Sequence, residues 1–309
     1  MSRVRMLAPA LAATAAAVLG AGCGLGPGDS SEGEATLTVT RDYGSEELVD
    51  VARSDPPESE TVMRMLDREA EIETRYGGGF VQSIEGISGS TDVGRTYDWF
   101  FFVNGVESAI GAAETEVRGG DRIWWDHRDW TEAMRVPAVV GSWPEPFLQA
   151  SAGSDRLPVR VVCAGASAPC DAAEDALADA GVSAVVTDFG KEAEGSSMRV
   201  IVGEWRKIAS DRAARLIARG PEASGVFARV PGKEIELLDE RGEVVRGGEG
   251  LLGATRVGEA PPTWIATGTS PAGVVDAVSM LDSGQLEDRY AIGISDGVAV
   301  PIPVPEPAP

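Results

Sequence analysis

Tyr97–Val103 (YDWFFFV) limits what this chain can become more than any other stretch. Its odd positions, Tyr97, Trp99, Phe101 and Val103, are apolar, and so are Phe100 and Phe102 between them. A strand of that kind shows apolar side chains on both faces of its sheet, so both faces must be covered. Asn104-Gly105 follows, a pair that tolerates positive φ at both positions and so closes a tight hairpin. Gly119-Gly120-Asp121 makes a second tight turn into Arg122–His127, which carries Trp124 and Trp125.

The flanking sequence supplies the rest of a first domain, residues 35–150. Thr36–Tyr43 alternates and reads as a strand. Ser59 is placed to cap a helix over Glu60–Ala70, with Val62, Met63, Leu66 and Ala70 on one face. Phe80–Ile87 reads as a strand, and Val106–Ala112 returns from the hairpin. This order predicts an α+β, β-grasp-like domain whose one helix covers one sheet face. The other face is left to the following segment, a second domain or a ligand. Trp130–Leu148 is aromatic and proline-broken, and it predicts a cover in which Trp143 or Phe147 lies against this sheet.

After a polar hinge at Gln149–Asp155, residues 156–303 alternate differently. Pro158–Cys163, Ser183–Thr187, Met198–Gly203 and Thr263–Thr267 read as strands. Asp171–Gly181, Asp211–Ala218 and Ala272–Leu281 read as helices, the last with Pro271 in its first turn after Ser270. Gly225–Val230, Glu234–Leu238 and Glu243–Val245 add strands. The pattern predicts an α/β layered C-terminal domain with a substantially parallel sheet. Residues 304–309 are a proline-rich tail, expected to be disordered.

The spacing Tyr-x-Trp-x-x-x-Val-Asn-Gly at 97–105, then Gly-Asp-x-Ile-Trp at 120–124, resembles the C-terminal-like domain of transcobalamin and intrinsic factor. Thr61-Val62 and Phe80-Val81-x-Ser83-Ile84-x-Gly86 fit the same pattern, and the resemblance spans about Ala35–Asp126. The domain also occurs alone in bacterial surface proteins of unknown function. In the vertebrate carriers it closes over one face of cobalamin while a helical barrel holds the rest. This chain has no such barrel, so the resemblance implies cobalamin or a related corrinoid only as a possible ligand. Trp99, Phe101, Asn104, Trp124 and Trp125 are the residues that would contact it.

Charge and cysteines bear on location. The formal net charge is −22, which repels phosphate backbones and argues against nucleic acid and against an electrostatic membrane patch. Residues 1–22 read as a signal peptide, with Arg3 and Arg5 before the apolar Leu7–Val18. Leu19-Gly20-Ala21-Gly22-Cys23 resembles a bacterial lipobox, although Gly20 stands where the pattern carries Leu, Val or Ile. The resemblance implies that Cys23 is lipidated and that the mature chain sits on the outer face of the cytoplasmic membrane. Ordinary cleavage nearby would leave it secreted. Residues 23–34 read as a flexible tether. Cys163 and Cys170 then remain as an even pair in an oxidising compartment, predicting a disulfide.

No catalytic motif is visible. The single histidine, His127, is expected to be a locally hydrogen-bonded residue at a strand end and not a metal or corrinoid ligand; no metal is predicted. Asp126, Arg128 and Asp129 are expected to form a surface ion-pair cluster. Two strand-to-helix turns, Gly203-Glu204-Trp205 and Thr267-Gly268-Thr269-Ser270, suit helix capping or an anion. The leading expectation is an exported, lipid-anchored, non-enzymatic protein that binds a small molecule. The alternatives are an envelope structural or protein-interaction module, or a secreted hydrolase using carboxylates.

Overall fold

The computed structural model describes residues 30–149, 156–191 and 196–305. The leader, Cys23, most of the tether, most of the hinge and residues 306–309 lie outside the described residues. The first half contains β1 (Glu34–Arg41), β2 (Glu46–Ser54), α1 (Val62–Glu69), β3 (Ile72–Arg75), β4 (Phe80–Ile84), β5 (Ile87–Ser88), β6 (Ser90–Asp92), β7 (Arg95–Val103), β8 (Val106–Glu107) and β9 (Arg122–Asp129). Its main sheet runs β2-β1-β9-β7-β6, with β8 paired to the end of β7. Only β1 and β9 are parallel neighbours in it. β3, β4 and β5 form a separate small sheet. The hairpin after β7 closes at Asn104 (φ 55°) and Gly105 (φ 72°), so both residues use the positive φ that their side chains permit. Thr61, not Ser59, caps α1: its Oγ1 accepts from the Arg64 amide at 3.2 Å.

The second half contains β10 (Val159–Ala164), α2 (Ser167–Asp179), β11 (Ala184–Asp188), β12 (Met198–Glu204), α3 (Trp205–Ile208), α4 (Arg212–Ile217), α5 (Pro221–Ser224), β13 (Ala228–Arg229), β14 (Ile235–Leu238), β15 (Val244–Gly248), β16 (Gly250–Thr255), β17 (Thr263–Gly268), α6 (Pro271–Ser279), α7 (Ser283–Leu286), β18 (Ala291–Ser295) and β19 (Val298–Ile302). Its large sheet has the order β11-β10-β12-β17-β16-β18-β19. The first four strands are parallel, and the remaining pairings are antiparallel. β13, β14 and β15 make a further small sheet.

The expected β-grasp-like α+β domain followed by an α/β layered domain is not what forms. The described residues are mostly β, 40% strand against 19% helix, in several sheets. Two physical causes account for this. In the first half a single eight-residue helix serves strands distributed over two sheets. In the second half direct antiparallel connections, not crossover helices, join β16 to β17 and β18 to β19, and β16 also pairs antiparallel with β18, so half of the large sheet is antiparallel. The hairpin β18–β19 carries Pro301, and a proline is tolerated there because β19 is an edge strand.

Three apolar clusters hold the chain together. One lies between the main first sheet and α1, where Trp99, Val103, Ile123 and Trp125 meet Val62, Met65 and Leu66. A second lies between the large sheet and α2 and α6, and includes Leu177, Val200, Trp264 and Ala277. The third joins the two halves. Phe102 and Trp124, on the other face of β7 and β9, pack with Tyr43, Phe227 and Tyr290. Thus the second face of the aromatic strand is closed chiefly by the second half of the chain. From the 130–148 segment, Ala133, Val136 and Val139 join this junction. Trp143 and Phe147 are buried too, but on the opposite sheet, 5.7 Å and 5.1 Å from the Trp264 ring. They do not lie against the first sheet as expected.

Cys163 and Cys170 form the expected disulfide, from the end of β10 to the first turn of α2. Cys170 is 1% exposed. The bridge closes a loop with a sequence separation of 7. Replacing both cysteines with alanine is therefore expected to lower the free energy of urea unfolding by about 2–3 kcal/mol through unfolded-state entropy. An unchanged midpoint would contradict this.

Candidate functional site

The five residues expected to contact a ligand are placed in or beside the cores. Trp99 is 7% exposed, and its indole N–H donates to the Ile87 carbonyl at 2.8 Å. Phe101 is half-buried and stacks on Trp125 at 4.8 Å. Asn104 is fully buried: its amide donates to Asp121 Oδ1 at 2.8 Å and its oxygen accepts from the Arg122 amide at 2.9 Å. Trp124 donates to Thr40 Oγ1 at 2.8 Å in the junction. None of the five lines the cavities described below.

The cluster read as surface ion pairs is instead buried. Asp126, Arg128 and Asp129 are at most 2% exposed. Strand alternation puts Asp126 and Arg128 on the junction face with Trp124. Asp126 accepts from Thr40 Oγ1 at 2.6 Å, from the Tyr290 hydroxyl at 2.8 Å, and from the amides of Tyr43 and Gly44 at 3.1 Å each. Burial nevertheless pushes its carboxyl up to about 6, because desolvation outweighs these bonds. Arg128 donates to the Ala133 carbonyl at 2.7 Å and sits 3.9 Å from the centre of the Phe100 ring. Gly44 has φ +78°, and a Cβ there would collide with the Asp288 carbonyl, so the β1–β2 turn meets the second half backbone to backbone. His127 has its Nε2 3.2 Å from the Ser88 carbonyl oxygen, and burial lowers its pKa. Among the described residues, no group of three or more His, Cys, Asp or Glu side chains is arranged for a metal ion.

The rim of this junction opens as a cleft of about 340 Å³. Asp42, Tyr43 and Tyr97 form the wall from the first half. Glu240, Arg289 and the segment Pro301–Pro305 form the wall from the second. A second lobe of about 570 Å³ continues past Tyr97 to Asp92, Glu132 and Arg241. Arg95 divides the lobes, with its Nη1 2.6 Å from Glu240 and its Nε 2.7 Å from Asp129. The Arg95 guanidinium also lies over the Tyr97 ring at 5.5 Å. Desolvation raises the pKa of Tyr97, so its phenol stays neutral. The cleft therefore combines a tyrosine face and a proline wall with charges of both signs. Such a lining suits a small organic molecule with an apolar body and a few polar groups.

Sequence reasoning missed this cleft. Asp42 and Tyr43 sit in the left-handed region, at φ 55° and 59°, without a glycine to signal it. Glu240 and Arg289 come from turns far along the chain. The only sequence signal was the adjacency of Tyr97 to the aromatic run. The Thr269–Ser270 turn proves to be a helix cap, with Ser270 Oγ accepting from the Gly273 amide at 3.3 Å.

Residues 59–128 match a family described as a domain of unknown function, DUF4430. That span runs from just before α1 to the end of β9, the same elements that carry the aromatic motif. No curated protein matches the chain. No helix among the described residues is long and apolar enough to cross a membrane.

Proposed function

We propose that this is an exported, lipid-anchored protein that binds a small molecule at the junction of its two halves, without turning it over. The observation that carries this reading is the cleft between Tyr97 and the Pro301–Pro305 segment. Both walls are fixed from behind by one buried network, in which Asp126 bonds to Tyr290 across the halves. A preformed cleft of this kind binds without ordering cost at its walls. Cobalamin or a related corrinoid remains the named candidate, and it rests on the motif resemblance alone. A corrinoid ring is larger than 340 Å³, so the cleft would grip an edge or a side group of it.

The test is a titration of the mature chain with cobalamin and corrinoid precursors, followed by tryptophan fluorescence. A saturable change at micromolar ligand is expected. Tyr97→Ala is expected to weaken it about tenfold by removing the shared wall of the two lobes. No saturable change, or one indifferent to Tyr97→Ala, would overturn the corrinoid reading or the cleft respectively. The second reading, an envelope interaction module, is favoured by one feature away from the cleft. Tyr76 is 87% exposed and pairs with the exposed Phe80 ring at 6.4 Å, an aromatic tip beside a run of three glycines.

A further inference from the structure

The large sheet contains a point where its winding reverses. From β10 the chain passes through α2 to β11 on one side, whereas β12 pairs with the other side of β10. α2 and α6 cover one face of the sheet, through Cys170, Leu177 and Val274. The chain leaving β12 covers the opposite face, through Trp205, Ile208 and Ile217 of α3 and α4. The connections after β10 and β12 therefore diverge and leave a crevice at the carboxyl ends of the two strands, the position where open parallel sheets hold ligands.

A cavity of about 170 Å³ occupies that crevice. Ala164, Val202, Pro271 and Val274 give it an apolar floor, and Glu204 and Lys207 stand at its polar side. Glu204 Oε1 is 2.8 Å from Lys207 Nζ, and its Oε2 is 2.9 Å from Arg206 Nη2. The Lys207 hydrogen bond holds the Glu204 carboxyl below the usual carboxylate range. Gly203 lets β12 end against β10, since a Cβ there would lie 2.6 Å from the Ala164 carbonyl oxygen. Side-chain exposure is 9% at Glu204 and 41% at Lys207, so the lysine is free to swing while the carboxylate is fixed.

The ligand chemistry follows from the two charges that line the cavity, since Arg206 pairs with Glu204 from outside that lining. An anion alone would bring its charge against Glu204, and a cation alone would meet Lys207. A molecule bearing an ammonium and a carboxylate on one carbon satisfies both at once, taking the place of the Glu204–Lys207 pair, whose lysine end is partly exposed. The apolar floor and the small volume limit its remaining group to a short aliphatic chain. We propose that this crevice is a binding site for a small aliphatic α-amino acid, with Glu204 receiving the ammonium, Lys207 the carboxylate, and the side chain resting on Val202 and Val274.

The inference is independent of the junction cleft. Calorimetric titration of the full mature chain with glycine, L-alanine and L-valine tests it, with acetate, methylamine and L-tryptophan as controls. Saturable binding of alanine or valine is expected, with none of the three controls bound. Lys207→Met and Glu204→Gln are each expected to weaken binding about tenfold or more while the far-UV circular dichroism spectrum stays that of the folded chain. Tyr97→Ala is expected to leave it unchanged. Absence of saturable heat at about 10 mM amino acid, equal binding of acetate or methylamine, or wild-type affinity in both variants would overturn the proposal.

Discussion

Asp126→Ala is expected to destabilise the folded chain by about 3–5 kcal/mol in urea unfolding. The substitution strands the Thr40 and Tyr290 hydroxyls and the Tyr43 and Gly44 amides, all of which now donate to one fully buried carboxyl. It also removes a carboxyl that acts electrostatically with Arg128, whose side chain is fully buried and whose ion-pair partner is Glu107 at 3.8 Å. Tyr290→Phe removes only one of those donors, so its cost should be about 1–2 kcal/mol. The effect has a pH signature. The folded carboxyl titrates at about 6, above the value of about 3.9 for an unfolded aspartate. The native state therefore takes up this proton first, and the contribution of Asp126 grows as pH falls through 6 and is complete below about 4. Between pH 7 and pH 5 the gap between wild type and Asp126→Ala should widen by about 1 kcal/mol. Glu145 and Asp288 are also raised, to about 7 and about 6, chiefly by burial, so the wild type gains from them in the same direction. Taking the difference between the two proteins cancels that share. A gap that stays constant, or narrows, in acid would contradict the assignment.

Trp264→Ala is expected to cost about 3–5 kcal/mol, the range for deleting a large buried ring. Trp264 is fully buried in β17, with Val200 and Ala254 as its strand neighbours. Its ring is the common partner of Trp143 and Phe147, so the variant should also release the 142–148 segment to proteases. Trp264→Phe should cost much less, because its indole N–H has no hydrogen-bond partner among the described residues. If Trp264→Ala left the unfolding midpoint within about 0.5 kcal/mol of wild type, the packing of the 130–148 segment onto the large sheet would be wrong.

Parts of this structure were legible in the residues. Tyr97–Val103 lies within the nine-residue β7, and the Asn104-Gly105 turn forms where its chemistry demands. The Cys163–Cys170 disulfide forms as read. Ser270 and Pro271 start α6 as read. Other parts were misread for identifiable reasons. Asp126, Arg128 and Asp129 are polar residues at the end of a strand, and local pattern assigns such residues to solvent. Their burial depends on Tyr290, 164 residues away, and on Phe227. The edge hairpin at Ala291–Ile302 escaped notice because Pro301 argues against a strand unless that strand is at an edge.

By itself the sequence determined that one strand must be buried on both faces, where the chain turns beside it, and which cysteines pair. These depend on local φ preference, on alternation and on the count of thiols. Only the tertiary structure decided what closes the second face, and with it the mostly β fold and the place of a cleft. The aromatic strand demands apolar contact without specifying its source, since burial energy has no direction. Tyr43, Phe227 and Tyr290 supply that contact through steric fit and through the hydrogen bond that Tyr290 gives to Asp126. Those are relations between distant residues, and no spacing along the chain encodes them.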